Sequence, residues 1–307
     1  MTKDQAGKLM KMATWAAITV ASTLVIAKAV AWWFSGSVAM LGSLTDSTLD
    51  LAASLVTMFA VRVALIPADD DHRFGHGKAE ALAGLFQAAV MTGSAVYLIL
   101  ESISRIWEPV PPMRSDMIIA ASGLAIALSL CLVIFQSYVV KRTGSLAIAG
   151  DHLHYKGDLL LNAAVIGSTL IAGSGFLYAD GIFGLLIGGY IIFGAYDIAR
   201  PAIDMLMDKE FDDSERECIF NIVMANPDVL GLHELKTRSS GRDRFIQMHI
   251  EVPGTMTVAA AHIIADEVEA TLGEVYPDTE IFIHMDPPSQ GSDELTVQEL
   301  GKLEEFK

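Results

Sequence analysis

Between about Thr14 and Arg200 the chain alternates long apolar runs with short polar breaks. A membrane helix needs roughly 20 mainly apolar residues. Six stretches qualify, at about 12–34, 38–66, 80–107, 116–141, 150–172 and 177–200. Ser35-Gly36-Ser37 separates the first two, Pro109, Pro111 and Pro112 break the chain after the third, and Gly173-Ser174-Gly175 follows the fifth. Ala29-Val30-Ala31 imitates a signal-peptide cleavage site. The apolar stretch around it is too long, however, and Lys28 interrupts it, so a first membrane helix is expected.

The periodicity changes after Lys209. A helix is expected over about 212–226, ended by Pro227, and a strand over about 231–239. Gly241-Arg242-Asp243 reads as a hairpin turn. A second strand covers about 244–252, with Ile246, Met248, Ile250 and Val252 alternating onto one face. Pro253-Gly254 ends it, a helix follows at about 257–273, and a strand at about 279–286. This α-β-β-α-β order suits a small ferredoxin-like α+β domain. The expected organisation is a six-helix transmembrane domain over 1–208, the ferredoxin-like domain over 209–290, and a polar, disordered tail over 291–307.

Charge sharpens that division. Residues 209–307 hold 21 acidic and 8 basic side chains, −13 of the chain's −16. An acidic chain is a poor nucleic-acid binder, and its soluble part suits cations. Two cysteines, Cys131 and Cys218, define neither a disulfide framework nor a metal site. Lys and Arg near the helix ends set orientation. Lys3, Lys8, Lys11, Arg62, Arg73, Lys78, Lys141, Arg142, Arg200 and Lys209 fall on one side, against Arg105 and Arg114 on the other. Both termini are therefore expected in the cytoplasm.

Ionisable groups at bilayer depth cost roughly 2.5–3.5 kcal/mol each on insertion scales, so they mark function. The second stretch carries Asp46 and Asp50, and the fifth carries His154 and Asp158. Each pair is spaced i, i+4, which places both side chains on one helix face. Two such pairs supply four N/O donors, a set that suits tetrahedral Zn²⁺ and is compatible with Fe²⁺, Cd²⁺ or Mn²⁺. Pore-facing polar residues or interhelical hydrogen bonds are the alternative. Asn162 continues the fifth-helix face, as a supporting group or as packing. Lys28 is explained by snorkelling, Asp180 and Asp197 lie at interfaces, and His152 points away from His154.

The connection after the second helix holds three carboxylates and two imidazoles. Asp69, His72 and His76 are candidate ligands, with a solvated polar loop as the alternative. In the soluble part His233, His249, His262, His284 and Asp286 are candidates for a two-metal cluster, assisted by Glu234 or Gln247, or else are surface histidines. No nucleophile or phosphate-binding loop stands out, so an enzyme is not expected.

Together these motifs resemble the cation diffusion facilitator family. The run from Ile66 to Glu80 and the run Asp151-His152-Leu153-His154-Tyr155-Lys156-Gly157-Asp158 are similar to its bacterial zinc and iron efflux branch. The absence of a long His-rich loop between the fourth and fifth helices favours that branch. The Lys156-Gly157 pair differs from some relatives but removes no ligand position. The resemblance covers about residues 10–288. It implies a homodimeric, proton-coupled metal exporter of the bacterial inner membrane. Asp46, Asp50, His154 and Asp158 would form its transport site, and Asp69, His72 and His76 a loop site. His233, His249, His262, His284 and Asp286 would form a binuclear cytoplasmic site. Zn²⁺ would serve as cargo and as regulatory ion. Lys78 and Asp208 would form a charge interlock between protomers.

Overall fold

The computed structural model describes residues 1–35, 38–108, 116–172 and 178–288. The breaks at Gly36-Ser37, Pro109 to Pro112 and Gly173 to Gly175, together with Arg114 and the tail beyond Pro288, lie outside the described residues. The chain divides into two compact units, Met1–Leu206 and Met207–Lys307.

Six long helices make up the described part of the first unit: α1 (Lys3–Ser35), α2 (Val38–Ala64), α3 (Lys78–Trp107), α4 (Asp116–Thr143), α5 (Leu146–Ala172) and α6 (Ala179–Leu206). α1 starts well before the apolar run that announced it. Thr2 and Gln5 form a reciprocal capping box, each side chain accepting from the other's backbone N–H at 3.3 Å. Ala6, Met10, Ala13 and Ala17 then bury one stripe of the early turns. Hydropathy alone does not register such an amphipathic start. α6 also outruns its expected end at Arg200, continuing through Pro201 to Leu206. One proline deletes a single backbone donor, a loss that a long packed helix absorbs.

Among the described residues five helical segments are long and apolar enough to cross a membrane. α5 carries Asp151, Lys156 and Asp158 in its first half. It tolerates them because it is an inner helix, packed against α2, α3, α4 and α6 and shielded from lipid. Small residues permit the close approaches. A Cβ at Gly188 of α6 would meet Ile99 Cγ1 of α3 at 2.6 Å, and one at Gly150 of α5 would meet Gln87 Cβ of α3 at 2.8 Å. Trp33 and Trp107 are exposed near helix ends, where amphipathic rings favour the membrane interface.

The second unit contains α7 (Asp213–Met224), β1 (Gly231–Ser240), β2 (Asp243–Glu251), α8 (Val258–Val275) and β3 (Thr279–Asp286). Thr257 caps α8 by accepting from the Ala260 N–H. The sheet runs β1-β2-β3, with β1 antiparallel and β3 parallel to β2. Ile246, Met248, Ile250 and Val252 pack against Ala261, Ile264, Ala265, Val268 and Leu272 of α8 and Ile219 and Val223 of α7. Strand alternation leaves His249 and Gln247 on the opposite face. Within β1 the register shifts between His233 and Lys236, and Glu234 takes a φ of 49°. Cys131 and Cys218 are exposed free thiols.

Candidate metal centres

The two membrane motifs converge where α2 crosses α5. His154 Nε2 lies 2.9 Å from Asp50 Oδ1 and 3.5 Å from Asp158 Oδ2. The three donor atoms lie within 4.8 Å of one another, the spread of ligands around one ion. His154 is 12% exposed, and its Nδ1 sits 3.1 Å from the Met91 sulfur on α3. Asp46 does not join this cluster and is exposed. The i, i+4 rule aligns it with Asp50 on α2, but it stands one turn, about 5.4 Å, farther along the axis. Asn162 is occupied locally, its Nδ2 donating to the Asp158 carbonyl at 2.8 Å.

A buried polar network supports the cluster from one side. Asp151, 1% exposed, accepts from Ser54 Oγ at 3.0 Å and from Gln136 Nε2 at 2.6 Å. Tyr155 OH lies 2.9 Å from Ser54 Oγ and donates to the Ala17 carbonyl at 3.3 Å. Four helices, α1, α2, α4 and α5, are thus joined at one point. Ser54 lies one turn beyond Asp50, and Asp151 nearly one turn before His154. On another side Lys28 of α1 donates to Ser47 Oγ at 2.6 Å and to the Ser43 carbonyl at 3.2 Å. Its ammonium is held inside the bundle, which replaces the snorkelling expected from sequence. Asp151 and Lys28 thus emerge as site neighbours only in three dimensions, because the sequence says nothing of which helices touch.

The connection between α2 and α3 is a folded turn. Asp69 Oδ1 accepts from the backbone N–H groups of His72 at 2.7 Å and Asp71 at 3.0 Å. The His72 N–H chiefly, with the Asp71 N–H, holds the Asp69 carboxyl below the usual carboxylate range. Both imidazoles face it, His72 Nδ1 at 3.4 Å and His76 Nε2 at 3.5 Å. The buried Nδ1 of His76 has no hydrogen-bond partner among the described residues. Asp69, His72 and His76 bring three donors within 4.8 Å of one another. Lys78 opens α3.

In the second unit three imidazoles form a rung across the sheet. His233 pairs with His249 across β1 and β2, and His249 with His284 across β2 and β3. Asp286 Oδ2 lies 2.9 Å from His249 Nδ1 and 3.5 Å from His233 Nε2, while Oδ1 lies 3.2 Å from His284 Nε2. His262 does not join them. It sits on α8, in the helix layer behind the sheet, is 68% exposed, and faces Asp266 at 3.7 Å. Glu234 turns to Lys236 at 2.8 Å, and Gln247 is exposed. Asp208, with a φ of 54°, faces Arg238 at 3.7 Å.

Comparison with known proteins agrees with this architecture. Residues 14–207 match the cation efflux transmembrane domain, and residues 211–288 match the cytoplasmic domain of cation efflux proteins. The chain is 43% identical over 283 residues to the cation-efflux pump FieF of Yersinia enterocolitica, covering 92% of this chain and 94% of the pump. It is 41% identical over 283 residues to FieF of Klebsiella pneumoniae, with the same coverage of 92% and 94%. Among solved structures, the metal-bound C-terminal domain of the CzcD transporter from Thermotoga maritima is 28% identical, covering 25% of this chain and 94% of that one, at a TM-score of 0.23. The chain belongs to the cation efflux family, whose members are multi-pass membrane transporters of metal ions and not enzymes.

Proposed function

We propose that this chain is a proton-coupled exporter of Zn²⁺ from the bacterial cytoplasm, working as a homodimer by alternating access. The observation that carries the reading is the cluster of Asp50, His154 and Asp158 between membrane helices, three donors within 4.8 Å. Asp46 completes the set when α2 shifts along α5. A single imidazole among carboxylates, with the Met91 thioether at its edge, favours Zn²⁺ or Cd²⁺ over the harder Mn²⁺, with Fe²⁺ intermediate. Metal ligands must be deprotonated to bind, so ion entry expels protons and protons returning from outside displace the ion. Both termini lie in the cytoplasm of a cell whose inner membrane holds the transporter, following the Lys and Arg distribution.

The loop set Asp69, His72 and His76, three donors within 4.8 Å of one another, fits a regulatory ion. Asp286, with each oxygen turned to different imidazoles, fits a carboxylate that bridges two ions held by His233, His249 and His284. Lys78 and Asp208 act as an interlock between protomers. The deciding measurement is Zn²⁺ uptake into proteoliposomes under an imposed pH gradient, comparing the native chain with Asp50→Ala. Loss of flux is expected, and unchanged flux in the variant refutes the transport site. A metal sensor that does not transport would bind Zn²⁺ but move neither ion nor proton.

A further inference from the structure

We propose that Lys28 is a resident counter-cation of the transport site, setting how tightly a divalent ion is held and how readily it leaves. The inference rests on the Asp46, Asp50, His154 and Asp158 reading above. Lys28 belongs to α1, which contributes no ligand, and it lies deep in an apolar helix, where an ammonium needs compensation. It finds that compensation inward, at Ser47 Oγ (2.6 Å) and the Ser43 carbonyl (3.2 Å). Ser47 follows Asp46 directly and lies nearly one turn before Asp50, so the tether holds the charge on the stretch of α2 that carries both carboxylates. The same ammonium interacts electrostatically with Asp46 on α2 and Asp158 on α5. Asp151 does not answer it, being turned toward Ser54 and Gln136.

Charge balance gives this placement its consequence. The three carboxylates carry −3 when ionised. The Lys28 ammonium lowers that to −2, the charge that one divalent ion neutralises. Loaded with such an ion and a neutral imidazole, the set is electroneutral, the cheapest state to enclose in a low-dielectric bundle. Without Lys28 the loaded set keeps an uncompensated negative charge. The ion is then held too strongly and released too slowly.

The test is Zn²⁺ transport by the full chain in proteoliposomes, with KM and kcat measured for Lys28→Met, Lys28→Gln and Lys28→Arg, and Asp50→Ala as reference. Removing a unit positive charge from beside the site is expected to lower KM by roughly tenfold or more for a divalent ion, since at an effective dielectric of about 20 the repulsion lost stays large over several ångströms. kcat should fall with it in the Met and Gln variants, while Lys28→Arg stays near the native values. Gln can still donate to Ser47, so agreement between Gln and Met assigns the effect to charge. The Gln/Arg comparison remains decisive where Met prevents folding. An unchanged KM in Lys28→Gln, with Asp50→Ala inactive, overturns the counter-cation and leaves the transport site standing. A native-like Lys28→Gln beside a perturbed Lys28→Met reduces Lys28 to a tether and equally overturns it. Full transport by Asp50→Ala removes the site on which both readings depend.

Discussion

Replacing Asp151 by Leu and, separately, by Asn separates hydrogen bonding from charge in the network beside the metal cluster. Leu is close in size but accepts nothing. It deprives Ser54 Oγ of its 3.0 Å partner and Gln136 Nε2 of its 2.6 Å partner in a fully buried position. Hydrogen bonds between membrane helices contribute about 0.6 kcal/mol on average and about 1.7 kcal/mol at most. Two bonds to a carboxylate belong at the upper end, so Asp151→Leu should destabilise the helical unit by about 3 kcal/mol. Ser54 keeps Tyr155 OH at 2.9 Å, and Gln136 Nε2 is left alone. Asn behaves differently. Its oxygen still accepts from Ser54, and its amide faces Gln136, whose Oε1 has no partner among the described residues. A turn of the Gln136 amide restores the contact, so Asp151→Asn should cost below about 1 kcal/mol. Denaturant titration of the detergent-solubilised protein, followed by tryptophan fluorescence, measures both. Equal destabilisation by Asn and Leu would falsify the hydrogen-bond account and assign the role to charge.

Gly150→Leu sets a Cβ 2.8 Å from Gln87 Cβ, an atom too near the α3 backbone to swing aside, and overpacking of this kind costs about 1–3 kcal/mol in the same titration. Ile250 is fully buried against α7 and α8, so Ile250→Ala should destabilise the second unit by about 2–5 kcal/mol, read as faster amide exchange across β2. Arg244 holds Glu215 through two 2.9 Å contacts and stacks 4.0 Å over Phe211, so Arg244→Lys should lose about 1 kcal/mol at this half-exposed site, measured by thermal melting. Asp69 has its carboxyl pKa lowered from 3.8 by the His72 N–H, so its contribution to the loop is present above that value and lost only as pH falls through the lower folded value. Carboxyl NMR shifts should accordingly show Asp69 still mostly ionised at pH 3.8, and a midpoint at or above that value would contradict the turn.

The candidate site was legible in sequence where local geometry sufficed. The spacing of His154 and Asp158 placed them on one face of α5, and Asp50 follows from the same rule on α2. Spacing does not say where two helices cross, and the crossing admits Asp50 while leaving Asp46 a turn away. Lys28 and Asp151 act through α1–α2 and α4–α5 contacts that leave no periodic trace. The strands were read from the alternation of Ile246, Met248, Ile250 and Val252, whereas the rung of His233, His249 and His284 depends on register. His262 faces Asp266 along α8, a local pairing that the sequence spacing of i, i+4 already allows.

The register shift in β1 gives the histidine rung a mechanical meaning. Between His233 and Lys236 the β1–β2 pairing is interrupted, and Glu234 occupies a left-handed conformation. Such a seam is where an edge strand peels first. An ion held by His233, His249 and Asp286 would stitch all three strands together beside that seam. Cytoplasmic metal would then be registered as stiffness: a frayed sheet edge when the ion is scarce, a braced one when it is plentiful.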